Sequence, residues 1–146
     1  MLLIPVKPKD NHQYPTIPFF AEAVPAGFPS PAAGWEEEEL NLHAYVVRHP
    51  SATYFLRVTG NSMRDARIHD GDILIVDRAE EAQHGSIVIA SIDNEFTVKK
   101  LLMRPVPCLM PQNKAYSPIY FDPESDTVEL WGVVTFSVRK HTPCSP

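Results

Sequence analysis

The chain has 146 residues, which is room for one domain with an appended arm and for a core that needs no disulfide or metal staple. Thirteen Lys and Arg against eighteen Asp and Glu leave a net charge of −5, so composition advertises no affinity for nucleic acid or an anionic membrane surface. Apolar runs such as Trp131–Val138 fall well short of the ~18 residues a spanning helix requires. The opening MLLIPVKPKD is too brief and too proline-marked for a signal peptide, and Cys108 and Cys144, in no metal-binding spacing, fit a reducing cytoplasm.

Prolines 5, 8, 15, 18, 25, 29 and 31 crowd the start of the chain. Proline lacks an amide donor and drives the residue before it away from the helical region, which predicts an extended arm over residues 1–40. The arm closes on Glu36-Glu37-Glu38-Glu39, read as a solvated acidic hinge because adjacent like charges repel without a fixed geometry. Residues 41–146 then read as a β-rich domain. Asn41 is placed to cap a short helix over Leu42–Arg48, which Pro50 stops. From Ser51 to Arg104 there is no proline, so an uninterrupted ladder can form. Within it, Tyr54–Val58, Ile73–Val76, Ser86–Ile92 and Glu95–Leu102 carry strand composition, separated by turn residues at His69–Asp72, Gln83–Gly85 and Asp93-Asn94. Prolines return at 105, 107, 111, 118 and 123 as strand edges or turns, and Thr127–Val138 forms a last long strand. The fold class is mostly β, a sandwich or barrel-like core with an extended N-terminal arm and one short helix.

Six scattered histidines offer no paired metal spacing, and neither a dinucleotide fingerprint, a phosphate loop nor a GxSxG elbow is present, so no metal or cofactor is expected. What remains is the polar turn Thr59-Gly60-Asn61-Ser62-Met63, which presents Ser62 at a strand end. A second element, Glu95–Leu101, sets lysines among β-formers, where a charged side chain needs a reason to be. A lysine pushed into an apolar site favours its neutral amine, which can take the proton from a serine hydroxyl. Strand alternation puts Lys99 and Lys100 on opposite faces and leaves open which is buried, or whether both are ordinary edge lysines.

Several blocks in order resemble the UmuD/MucA proteins of the bacterial SOS response, within the larger LexA-like family of self-cleaving proteins. They are Ala26–Pro31, His49–Phe55, Gly60–Met63, Asp70–Asp72, Glu95–Lys100, Asn113–Pro118 and Trp131–Val134. The resemblance implies a LexA C-terminal/UmuD-like β core with Ser62 as nucleophile and Lys99 as general base. It also implies Ala26-Gly27 as the scissile bond, an oxyanion hole of the Asn61 and Ser62 backbone amides, and Thr97 orienting the lysine. It further implies a cytoplasmic homodimer whose cleavage is stimulated by the RecA–single-stranded-DNA filament. The shortened form would serve a UmuC-type Y-family translesion polymerase, with the polymerase sliding clamp as a further contact. Two alternatives share the blocks: an accessory protein that keeps the fold without cleaving, and a repressor-type LexA relative lacking its DNA-binding domain. About 40 residues with seven prolines cannot supply a helix-turn-helix, and a signal peptidase with related chemistry would need a membrane anchor.

Overall fold

The computed structural model describes residues 4–6, 17–20, 37–125 and 127–142. Ten strands follow in chain order: β1 (Ile4–Val6), β2 (Ile17–Phe20), β3 (Glu37–Leu40), β4 (Thr53–Arg57), β5 (Ile73–Asp77), β6 (Ile87–Ile92), β7 (Glu95–Leu102), β8 (Cys108–Met110), β9 (Ile119–Tyr120) and β10 (Val128–Val138). The expected short helix is α1 (Leu42–Val46), capped as anticipated by Asn41, whose Oδ1 accepts the Ala44 N–H at 3.0 Å. Two single 3₁₀ turns, Pro50–Ala52 and Arg64–Ala66, complete the helical content of the described residues. The mostly β class therefore holds. Among the described residues, no helix is long and apolar enough to cross a membrane.

Eight strands make one antiparallel sheet in the order β1-β4-β5-β10-β6-β7-β8-β9. The last long strand, β10, thus enters the middle of the sheet, between β5 and β6. It bends there through register shifts between Leu130 and Gly132 and between Val134 and Phe136, as bulged strands do. The β6–β7 hairpin turns on Asp93 and Asn94, both at positive φ (49° and 66°), the geometry of a two-residue turn matched to strand twist.

Both faces of the central strands are buried. Ile89 and Val98 pack with Leu56, Val58, Met63, Leu74 and Val76 in one cluster. The neighbouring residues Val88 and Ala90 point the other way, into a second cluster with Leu101 and Leu109. Full burial of each Val, Leu, Ile or Met among them stabilises by roughly 1.5–3 kcal/mol. Trp131 closes the edge of the first cluster, with Tyr54 and Phe96 at 5.1 and 5.2 Å and the Arg78 guanidinium 4.7 Å above its ring. Across the sheet, Asp72 takes two hydrogen bonds from Arg139, at 3.1 and 2.9 Å, tying the loop before β5 to the end of β10. Burial alone would raise the Asp72 carboxyl, but the bonds from Arg139 and from the His69 N–H bring it below its usual 3.8.

Residues in the proline-rich segment also pair. β1 lies antiparallel on β4, with Ile4 opposite Arg57 and Val6 opposite Phe55. β2 and β3 form a separate two-stranded ladder, so Glu37, Glu38 and Glu39 of the acidic run face Phe20, Phe19 and Pro18.

Candidate active site

Strand β4 ends at Arg57, and Val58 continues its line with backbone hydrogen bonds to Asp72 and Gly71. The chain then reverses at Gly60, whose φ of +89° suits a residue without Cβ, and the Gly60 N–H is held by Asp70 Oδ1 at 2.8 Å. Three residues on, Met63 is fully buried in the first cluster and anchors the far side of the turn. Ser62 sits between these two fixed points with only 4% of its surface exposed. Its carbonyl accepts the Gln112 N–H at 2.8 Å, and the Gln112 carbonyl accepts the Asp65 N–H at 2.6 Å, so the β8–β9 connection braces the turn.

Lys99 reaches the same point from β7. Its strand partner is Val88, and Thr97 and Lys99 share the face of the second cluster, whereas Lys100 lies on the opposite face and is partly exposed. That settles which lysine is buried: Lys99 is 6% exposed. Its Nζ lies 2.7 Å from Thr97 Oγ1, 3.0 Å from the Val98 carbonyl and 3.2 Å from Ser62 Oγ. Among the described residues no carboxylate forms an ion pair with it. Burial pushes its pKa below the ordinary 10.5. As an ammonium, Lys99 donates to all three acceptors. As a neutral amine it has two N–H groups for Thr97 and Val98 and a lone pair left for the Ser62 hydroxyl proton. One geometry thus serves both protonation states, which differ by a proton on the line between Nζ and Oγ.

The pair opens onto a cleft of about 610 Å³. Thr59 to Ser62 form one wall, the β6–β7 hairpin another through Ile92, Asp93, Glu95 and Phe96, and Tyr116, Ser117 and Ile119 a third. Tyr116 and Ser117 of the third wall come from the Asn113–Pro118 block, which the sequence singled out without a role. Ala26 and Gly27 lie outside the described residues. Away from the cleft, His49 Nδ1 hydrogen-bonds Asp77, and with Glu80 these residues bring potential ligand atoms within 4.8 Å of one another. Asp77 is already engaged by the Ala79 N–H, so the group reads as a brace between the start of β4 and the end of β5.

The Peptidase S24-like family matches residues 18–135, most of the chain and all of this site. The chain belongs to that family. Within it, the chain is 64% identical over 129 residues to the protein MucA of Salmonella typhimurium, covering 88% of each, and 47% identical to SamA of the same species, covering 95% of this chain and 96% of SamA. Membership of the UmuD/MucA group inferred from the sequence blocks is thereby established. A LexA repressor from Azoarcus is 41% identical over 117 residues, which are 80% of this chain and 57% of that repressor.

Proposed function

We propose that this S24 peptidase acts on its own chain, with Ser62 as nucleophile and Lys99 as general base, cutting the Ala26–Gly27 bond. The observation that carries the proposal is the 3.2 Å contact between two buried side chains, Lys99 Nζ and Ser62 Oγ, with no competing carboxylate on the amine among the described residues. Neutral Lys99 takes the hydroxyl proton as Oγ adds to the Ala26 carbonyl carbon. The N–H groups of Asn61 and Ser62 receive the oxyanion. The new ammonium returns its proton to the Gly27 nitrogen as the peptide bond breaks, leaving Ala26 as an ester on Ser62. Lys99, neutral again, then activates water against that ester. Thr97 and the Val98 carbonyl hold the amine in place throughout. Because enzyme and substrate share one chain, positioning and the oxyanion donors supply most of the acceleration.

A small residue before the cut suits the shallow approach to Ser62, and glycine after it lets the backbone come close. We place the chain in SOS mutagenesis in the bacterial cytoplasm. The RecA–single-stranded-DNA filament favours the arm position that reaches Ser62, and the cut homodimer joins a UmuC-type Y-family polymerase and its sliding clamp. The test is incubation of the purified chain at alkaline pH, followed by determination of the N-terminus of any fragment. A new terminus at Gly27, absent from Ser62→Ala, is expected. RecA filament should speed that cut without rescuing Ser62→Ala or Lys99→Ala, or a Gly27→Glu variant. A cut elsewhere, or one that survives in Ser62→Ala, overturns the proposal.

A further inference from the structure

Asn113 stands behind the nucleophile turn, 91% buried because it exposes 9% of its surface, and the proposed reaction gives it no part. Its Nδ2 donates to the Asn61 carbonyl at 2.8 Å, and its Oδ1 accepts the Ala115 N–H at 3.0 Å. Each end of the amide therefore faces a partner that only the assigned atom can satisfy, so the side chain cannot be turned over. Its own carbonyl accepts the Tyr116 N–H at 3.1 Å, which stiffens the segment it stands on. The residue before it, Gln112, already holds the Ser62 carbonyl at 2.8 Å. The carbonyls of Asn61 and Ser62, one on each side of the Ser62 α-carbon, are thus held by two consecutive residues of the β8–β9 connection.

A trans peptide is planar, with the carbonyl of one residue and the N–H of the next pointing in opposite directions. Holding the Asn61 carbonyl against Asn113 therefore aims the Ser62 N–H away from Asn113. Among the described residues, neither the Asn61 nor the Ser62 N–H is engaged by an acceptor. An unpaired donor at the root of the nucleophile, in a peptide whose other end is fastened, is a preorganised anion receptor. We infer that Asn113 is the positioning residue of the oxyanion site, fixing the Asn61–Ser62 peptide so that the Ser62 N–H meets the developing charge. This inference rests on the Ser62–Lys99 reading. It assigns Asn113 no contact with substrate.

The test uses the full chain and a peptide boronic acid ending Val-Pro-boroAla, copied from residues 24–26. Ser62 Oγ adds to boron, the hydroxyl proton passes to Lys99, and the tetrahedral boronate carries the negative charge with no leaving group. Two variants are compared with wild type. Asn113→Asp keeps the shape but replaces the donor with an oxygen that repels the Asn61 carbonyl, and Asn113→Ala removes the contact. Removing a whole oxyanion donor slows an enzyme about 10²–10³-fold, so misaiming one should slow self-cleavage about 10–100-fold. Boronate affinity should fall by a similar factor. The pH midpoint of cleavage and the affinity for the matching peptide amide, which forms no adduct, should stay at wild-type values. Wild-type rates in both variants, or a loss shared equally by the peptide amide, would overturn the inference while leaving the dyad intact. Absence of any boronate adduct in wild type would instead remove the dyad, and the inference with it. Should both variants fail to fold, the wild-type adduct decides. The Ser62 amide proton must move downfield in its NMR spectrum when boronate binds, and an unmoved signal refutes the assignment.

Discussion

Replacing Lys99 by methionine isolates the buried amine, because the unbranched thioether fills nearly the same space and carries no titrating group. In a Ser62→Ala background, where no cut intervenes, the two proteins should differ in stability in a pH-dependent way. The folded Lys99 pKa is lowered from 10.5 by burial, so between that lowered value and about 10.5 the unfolded chain binds one proton more than the folded one. Stability of the Lys99 protein relative to Lys99→Met must therefore rise with pH across that window, at a limiting slope of about 1.4 kcal/mol per pH unit. Below the window both states are protonated, and the cost of burying the ammonium is present in full. Lys99→Met is thus the more stable protein at acid pH, and its advantage shrinks as the amine deprotonates. On the proposed mechanism the same proton governs the chemistry. In the Ser62 protein, the self-cleavage rate should climb about tenfold per pH unit below the folded Lys99 pKa and level off there. Urea unfolding at several pH values and the cleavage rate then yield one pKa by two routes. The reasoning fails if the stability difference is independent of pH. It also fails if the rate profile bends at about 6.5, the reference value of an imidazole rather than of an amine.

Three further outcomes are expected. Ser62→Ala and Lys99→Ala should each abolish measurable self-cleavage, and the double variant should be no worse than either, because the proposed mechanism uses the two hydrogen-bonded side chains as one unit; additive losses in a sensitive fragment assay would argue against a shared step. Gly132→Ala would place a Cβ 2.6 Å from Val76 Cγ1, in a bulged strand with core on both sides, and should cost about 1–3 kcal/mol in urea unfolding; a change below ~0.5 kcal/mol would mean the strand yields freely. The proposed cut after Ala26 would sever β1 and β2 from the remaining chain, so amide exchange at Phe55–Arg57 on the uncovered edge of β4 should quicken while the β5–β10 ladder stays protected. Equal protection before and after the cut would show that the pairing with β1 contributes nothing.

Features that depend on neighbours in sequence were legible from sequence alone. The Asn41 cap, the reversal at Gly60 and the Asp93-Asn94 hairpin each follow from the conformational preferences of two or three residues, and strands β4 to β7 and β10 lie within a residue or so of their expected bounds. The short strands β8 and β9 and the pairings of β1 with β4 and β2 with β3 were not, because strands of two to four residues carry too few side chains to show a period. Nor could local composition place β10 between β5 and β6, since antiparallel partners are chosen by which faces bury together. The choice between Lys99 and Lys100 shows the limit most clearly. Alternation identifies the buried face of a strand only when the other face is wet, and here Val88, Ile89 and Ala90 on the partner strand are all fully buried. By periodicity alone the two lysines therefore look equally plausible along the chain, and before the structure only the family blocks favour Lys99. The closing of the sheet around β10 and the bracing of the Ser62 turn by the β8–β9 connection select Lys99, because they bring Nζ and Oγ to 3.2 Å across 37 residues of chain.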